Sequence, residues 1–154
     1  MEGYWFRSTR FQIVEGEVLD TGPGIYGRQL AYWLRDGLIE AGYRSAEVEP
    51  ENWGWCIAVA RRPHLLWVGC GGTVHNEGGS GADDAASARG NAEVEVRDEV
   101  RGDALLWHCH AAVERSWLMG WWGRAAAANA VRDLDLALRR LLLADPDIQL
   151  VDPQ

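Results

Sequence analysis

The stretch Leu105-Leu106-Trp107-His108-Cys109-His110-Ala111-Ala112-Val113 reads as a strand with two unlike faces. Side chains alternate across a strand, so Leu105, Trp107, Cys109, Ala111 and Val113 share one face. Leu106, His108, His110 and Ala112 share the other. The apolar set belongs against a core, which sends both histidines to the opposite surface. A sheet with one buried face needs a covering layer, and two stretches supply it. From about Gly24 to Ala41, Tyr26, Leu30, Trp33, Leu34, Leu38 and Ala41 fall at helical spacing, with Arg28, Arg35, Asp36 and Glu40 on the other side. Asp20 or Thr21 is the expected cap, Pro23 a first-turn residue and Gly42 the left-handed stop. From about Arg124 to Ala144, Val131, Leu134, Leu138, Leu141 and Leu142 make a second stripe, Asp135 and Arg139 stand one turn apart, and Asp145-Pro146 ends the helix.

The remaining segments have short apolar runs or a period of two. Strands are expected at Phe6 to Val14, Ser45 to Val48, Cys56 to Ala60, Leu65 to Cys70, Glu93 to Arg97 and Ile148 to Val151. Arg61-Arg62-Pro63-His64 is the turn of a hairpin. Gly71 to Gly90, rich in glycine, alanine and serine, reads as a flexible loop. The class that follows is α+β, a mainly antiparallel sheet with two long helices packed on it, as one domain over residues 1–154.

Composition narrows the function. The net charge is −8, with one acidic excess over residues 1–60 and a second over 83–103, which argues against nucleic acid as a partner. No stretch approaches the roughly 20 apolar residues of a membrane span, and Met1 to Arg10 has no signal-peptide core, so a cytoplasmic protein with no membrane partner is expected. All fifteen basic residues are arginine. Without lysine there is no Schiff-base chemistry and no phosphate-loop lysine, and the arginine bias itself suits a GC-rich bacterial genome. Three cysteines, Cys56, Cys70 and Cys109, do not make a disulfide framework.

Two constellations could carry chemistry. His108 and His110 point the same way and could supply two ligands to a transition metal, with Cys70 and His75 as further donors. Cys109 points to the other face and cannot join them. Two histidines rarely suffice for tight binding, so no stoichiometric metal and no cofactor are expected. Alternatively, Cys70 could be a nucleophile with His75 as base and Gly69, Gly71 and Gly72 as amide donors, but a cysteine on a buried strand end is more often a small core residue. The glycine-rich stretch lacks the spacing and the following helix of a phosphate or dinucleotide loop.

The nine tryptophans weigh towards binding. Trp5, Trp33, Trp67 and Trp107 are expected in the core. Trp53-Gly54-Trp55 follows Glu47, Glu49 and Glu51, while Trp117, Trp121 and Trp122 crowd a second segment. Indole beside carboxylates suits a cationic partner, the ring holding it and the acids steering it in. The expected partner surface is therefore Glu47, Glu49, Glu51, Trp53, Trp55, Trp117, Trp121 and Trp122.

Several of these residues also carry a resemblance. Gly16-Glu17, Pro23-Gly24 with Tyr26-Gly27, Ala31-x-Trp33-Leu34, Trp53-Gly54-Trp55 and the end Asp145-Pro146-Asp147-Ile148 to Val151 resemble a family of small acidic bacterial proteins with no assigned catalytic residue. The general look is similar to bacterial immunity proteins. That resemblance implies a cytoplasmic binding protein that neutralises a basic toxin by direct contact. The alternative is a small metal- or ligand-dependent enzyme using the His108/His110 face, and a third reading is a homodimer formed through the tryptophans.

Overall fold

The structure is a computed structural model that describes residues 3–44, 46–74, 105–114 and 121–152. Its elements in chain order are β1 (Tyr4–Ser8), α1 (Val18–Thr21), α2 (Arg28–Glu40), β2 (Glu47–Glu51), β3 (Gly54–Ala60), β4 (Leu65–Val74), β5 (Leu105–Glu114), α3 (Trp121–Ala144) and β6 (Ile148–Val151). The six strands form one antiparallel sheet in the order β2-β3-β4-β5-β1-β6. The expected α+β class holds.

One face of the sheet is buried by the two long helices. Leu30, Leu34 and Leu38 of α2 and Leu134, Leu138 and Leu142 of α3 share a core with Ile57, Val68, Leu105, Trp107 and Cys109. These helix positions recur every four residues, so each helix turns a single apolar stripe to the sheet. Each fully buried leucine contributes about 1.5–3 kcal/mol relative to exposure.

Several expected boundaries move. The first long helix starts at Arg28, because Gly24 and Gly27 have φ of +76° and +145°, outside any right-handed helix. Its stop is as expected, with Gly42 at φ +106° just past Ala41. Neither Asp20 nor Thr21 caps it. The buried Glu17 does: its carboxyl oxygens accept the N–H of Gly27 (2.6 Å) and Arg28 (3.5 Å) on one side and of Val14 (2.9 Å) on the other. Asp135 accepts the Tyr4 hydroxyl at 2.8 Å, which ties α3 to β1. The first strand ends at Ser8 rather than Val14, and the strand expected from Ser45 is Glu47–Glu51. Gly71 and Gly72 belong to β4, because Trp107 packs on Gly72 and Tyr26 pairs with it, so the expected loop does not begin there. Thr73 and Val74 continue β4, while residues 75–90 of that loop and the strand expected at Glu93 to Arg97 lie outside the described residues.

Candidate functional site

The sheet face away from the helices is built by register. His108 pairs with Trp5 on one side and Gly71 on the other, and Gly69 pairs with Cys56 and His110. Across β2 and β3, Glu47, Glu49 and Glu51 stand opposite Ala58, Cys56 and Gly54. Partners directly opposite in an antiparallel pair share a face. One row therefore runs Glu51, Gly54, Gly71, His108, Trp5, and the next runs Glu49, Cys56, Gly69, His110. In the middle of both rows lie glycines and one cysteine, leaving a low floor between carboxylates on one side and rings on the other.

The rings form a continuous platform. Trp5 lies 4.7 Å from His108 between ring centroids, His108 lies 5.0 Å from His110, and His110 lies 5.4 Å from Trp67 and 6.3 Å from Trp53. Trp53 and Trp67 are 5.8 Å apart. Gly69 is what allows it: a Cβ there would come within 2.5 Å of His110 Cε1 and 3.0 Å of Trp53 Cη2. Trp53 is 45% exposed.

Electrostatically the platform is neutral and its rim is acidic. Burial pulls the His108 pKa down to about 4, helped by the neighbouring His110, and burial lowers His110 as well. Both imidazoles are therefore uncharged at neutral pH. Nδ1 of His110 is buried with no hydrogen-bond partner among the described residues. Arg61 pairs with Glu47 and lies 3.8 Å from Glu49, while Glu51 has no ion pair among the described residues. Burial raises the Cys56 thiol to about 11, and Glu51 and Glu49 add to the rise.

The sequence-derived candidates divide. His108 and His110 point away from the core, and Glu47, Glu49, Glu51 and Trp53 share their face. Trp55 does not, being 3% exposed, because its register with Cys70 turns it under the helices. Cys70 is on that covered face too, so it cannot join His108 and His110 at a metal. Its burial raises the thiol pKa well above the ordinary value, which removes the thiolate that a nucleophile needs. No group of three His, Cys, Asp or Glu side chains among the described residues is placed to hold a metal ion. Trp122 is 87% exposed on α3. His75, Trp117 and the Trp121 side chain lie outside what is described.

Trp5 and Trp67, expected in the core, are instead parts of the platform, together with Cys56 and Gly69. The signal for them was the register across β5. Once His108 faces outward, whatever pairs with it faces outward too. Two cavities, of about 350 and 290 Å³, lie elsewhere, at the ends of α2 and α3. No helix among the described residues is long and apolar enough to cross a membrane.

Of the residues that carry the resemblance, Glu17, Tyr26, Gly27, Gly54 and Trp55 meet at one structural junction against β4, whereas Ile148 to Val151 pair with β1. Gly27, capped by Glu17, would place a Cβ 3.1 Å from Gly71 Cα and 3.2 Å from Trp55 Cδ1. Gly54, at φ +154°, would place one 2.5 Å from the Cys70 carbonyl oxygen. Tyr26 exchanges both backbone hydrogen bonds with Gly72, at 3.1 and 2.7 Å. Comparison with protein-family models, with curated protein sequences and with solved structures finds no match.

Proposed function

We propose that this protein is a binding module that holds a basic protein partner on the sheet face away from its helices, in the manner of an immunity protein neutralising a bacterial toxin in the cytoplasm. The observation that carries the reading is the juxtaposition of the ring platform with the three carboxylates of β2. Large rigid rings give a partner contact area at little entropic cost, and rim carboxylates speed its approach. Ordinary negative design explains part of β2, since charges and Pro50 on an edge strand prevent pairing with another sheet. It does not explain the row of rings beside them. The enzyme reading has two imidazoles but no third donor among the described residues.

The test begins with capture of the partner from the native host, followed by kinetics on purified components. Trp53→Ala should speed dissociation, at a cost of about 2 kcal/mol or more if the ring is a desolvated anchor. Glu49→Gln and Glu51→Gln should slow association and flatten its salt dependence. A partner whose affinity ignores all three changes overturns the reading. So does a small ligand that raises Tm while no protein partner is recovered.

A further inference from the structure

Three times among the described residues, a guanidinium of this chain lies over an aromatic ring and also pairs with a carboxylate. Arg10 is 5.9 Å from the centroid of Trp33 and 3.0 Å from Asp145. Arg28 is 5.3 Å from that of Trp55 and pairs with Asp20. Arg35 is 4.6 Å from that of Tyr32 and 2.8 Å from Asp36. The ring attracts the cation through its quadrupole, and the carboxylate takes the in-plane N–H groups.

Trp53 repeats two of the three parts. Its indole is about half exposed, and Glu51 of the same hairpin, also exposed, has no ion pair among the described residues. No cation stands over its ring there. Arg61 is engaged by Glu47 and Glu49, and Arg7 lies towards the far end of the face, in register with Gln149. We propose that the missing part is an arginine of the protein partner, stacked flat on Trp53 with Glu51 accepting its N–H groups. This rests on the binding reading above.

The geometry favours arginine over lysine. Trp53, Trp67 and His110 have centroids 5.4–6.3 Å apart, so the rings touch and leave no cage between them for a compact ammonium. A planar, weakly hydrated guanidinium needs only a flat surface and a nearby carboxylate. The uncharged histidines add no repulsion to an incoming cation.

The experiment titrates the full chain with tetra-arginine amide and with tetra-lysine amide at low salt, reading the tryptophan indole N–H resonances. Trp53→Leu and Glu51→Gln serve as variants, both at exposed positions and each checked by its thermal melt. The arginine peptide should move the Trp53 resonance and bind about tenfold more tightly than the lysine peptide. That preference should vanish in Trp53→Leu and shrink in Glu51→Gln. Equal binding of the two peptides, or an arginine effect centred on Trp33 or Trp122, overturns the inference. If the binding of the captured partner still needs Trp53, the broader reading survives that failure. A partner indifferent to Trp53→Leu, Glu49→Gln and Glu51→Gln alike overturns the broader reading whatever the peptides do. A dimer in sedimentation that is lost in Trp53→Leu makes the occupant a second copy of this chain and overturns the foreign arginine.

Discussion

Glu17 is fully buried, and its carboxyl group is the only side-chain acceptor among the described residues for the N–H groups of Gly27 and Val14. Changing it to alanine leaves the buried Gly27 donor, bonded at 2.6 Å, and the part-buried Val14 donor, bonded at 2.9 Å, without that partner. An unsatisfied buried donor costs about 1–3 kcal/mol and a part-buried one less, so Glu17→Ala should lose about 2–5 kcal/mol. Against a typical total of about 5–15 kcal/mol, that is a large fraction of the stability. Glu17→Gln keeps one carbonyl oxygen for Gly27 but turns its amide hydrogens towards the Val14 N–H. It should lose one bond, about 2 kcal/mol, and lower Tm by about 4–8 °C for a chain of this size. Urea titrations followed by far-ultraviolet circular dichroism measure both variants. A wild-type midpoint for Glu17→Ala, or glutamine as damaging as alanine, would show that the two carboxyl oxygens do not hold these donors.

Other expectations follow from the sheet face away from the helices. His108 has its folded pKa lowered to about 4 from 6.5, so the unfolded chain binds the proton first. That pair of values makes stability complete above pH 6.5 and diminishing as pH falls towards 4, and a His108→Phe variant should lose less between pH 7.5 and 4.5 in matched thermal melts. Equal losses would refute this. Gly69→Ala drives a methyl group into His110 and Trp53, and should cost about 1–3 kcal/mol by denaturant titration while changing tryptophan fluorescence. An unchanged spectrum and midpoint would mean the rings do not rest on the glycine. Of the three free thiols, only Cys56 is not fully buried, and its pKa of about 11 should make it slow towards iodoacetamide at pH 8. The Glu49→Gln, Glu51→Gln double variant should react faster, and a rate equal to wild type would show that the carboxylates do not act on it.

The helices and their stripes were legible because each buries one side only, and β5 was legible because its two faces differ chemically. Trp5 was not, since Tyr4-Trp5-Phe6 is aromatic at every position and alternation has nothing to contrast. Only pairing with His108 assigns its face. Trp67 has the same difficulty among the apolar residues Leu65 to Val68. Trp55 was legible in principle: Trp55, Ile57 and Val59 alternate with the smaller Cys56, Ala58 and Ala60, a pattern that appears once the strand is begun at Gly54 rather than Cys56. Glu17 has no such signal. A carboxyl group that caps a helix starting eleven residues later depends on how the intervening turn folds back, which no periodicity records.

The seating of β1 between β5 and β6 bears on how the chain reaches this structure. The seams β2–β3 and β3–β4 are closed by tight turns and involve near neighbours in sequence. The β1 seams join distant parts, with Trp5 paired to His108 on one side and to Val151 on the other. Closing such a span costs chain entropy before any contact repays it, so the hairpins form early and β1 slots in late. Changes in the Arg61–His64 turn should then slow refolding, whereas changes at the β1–β6 seam should leave refolding nearly untouched and hasten unfolding.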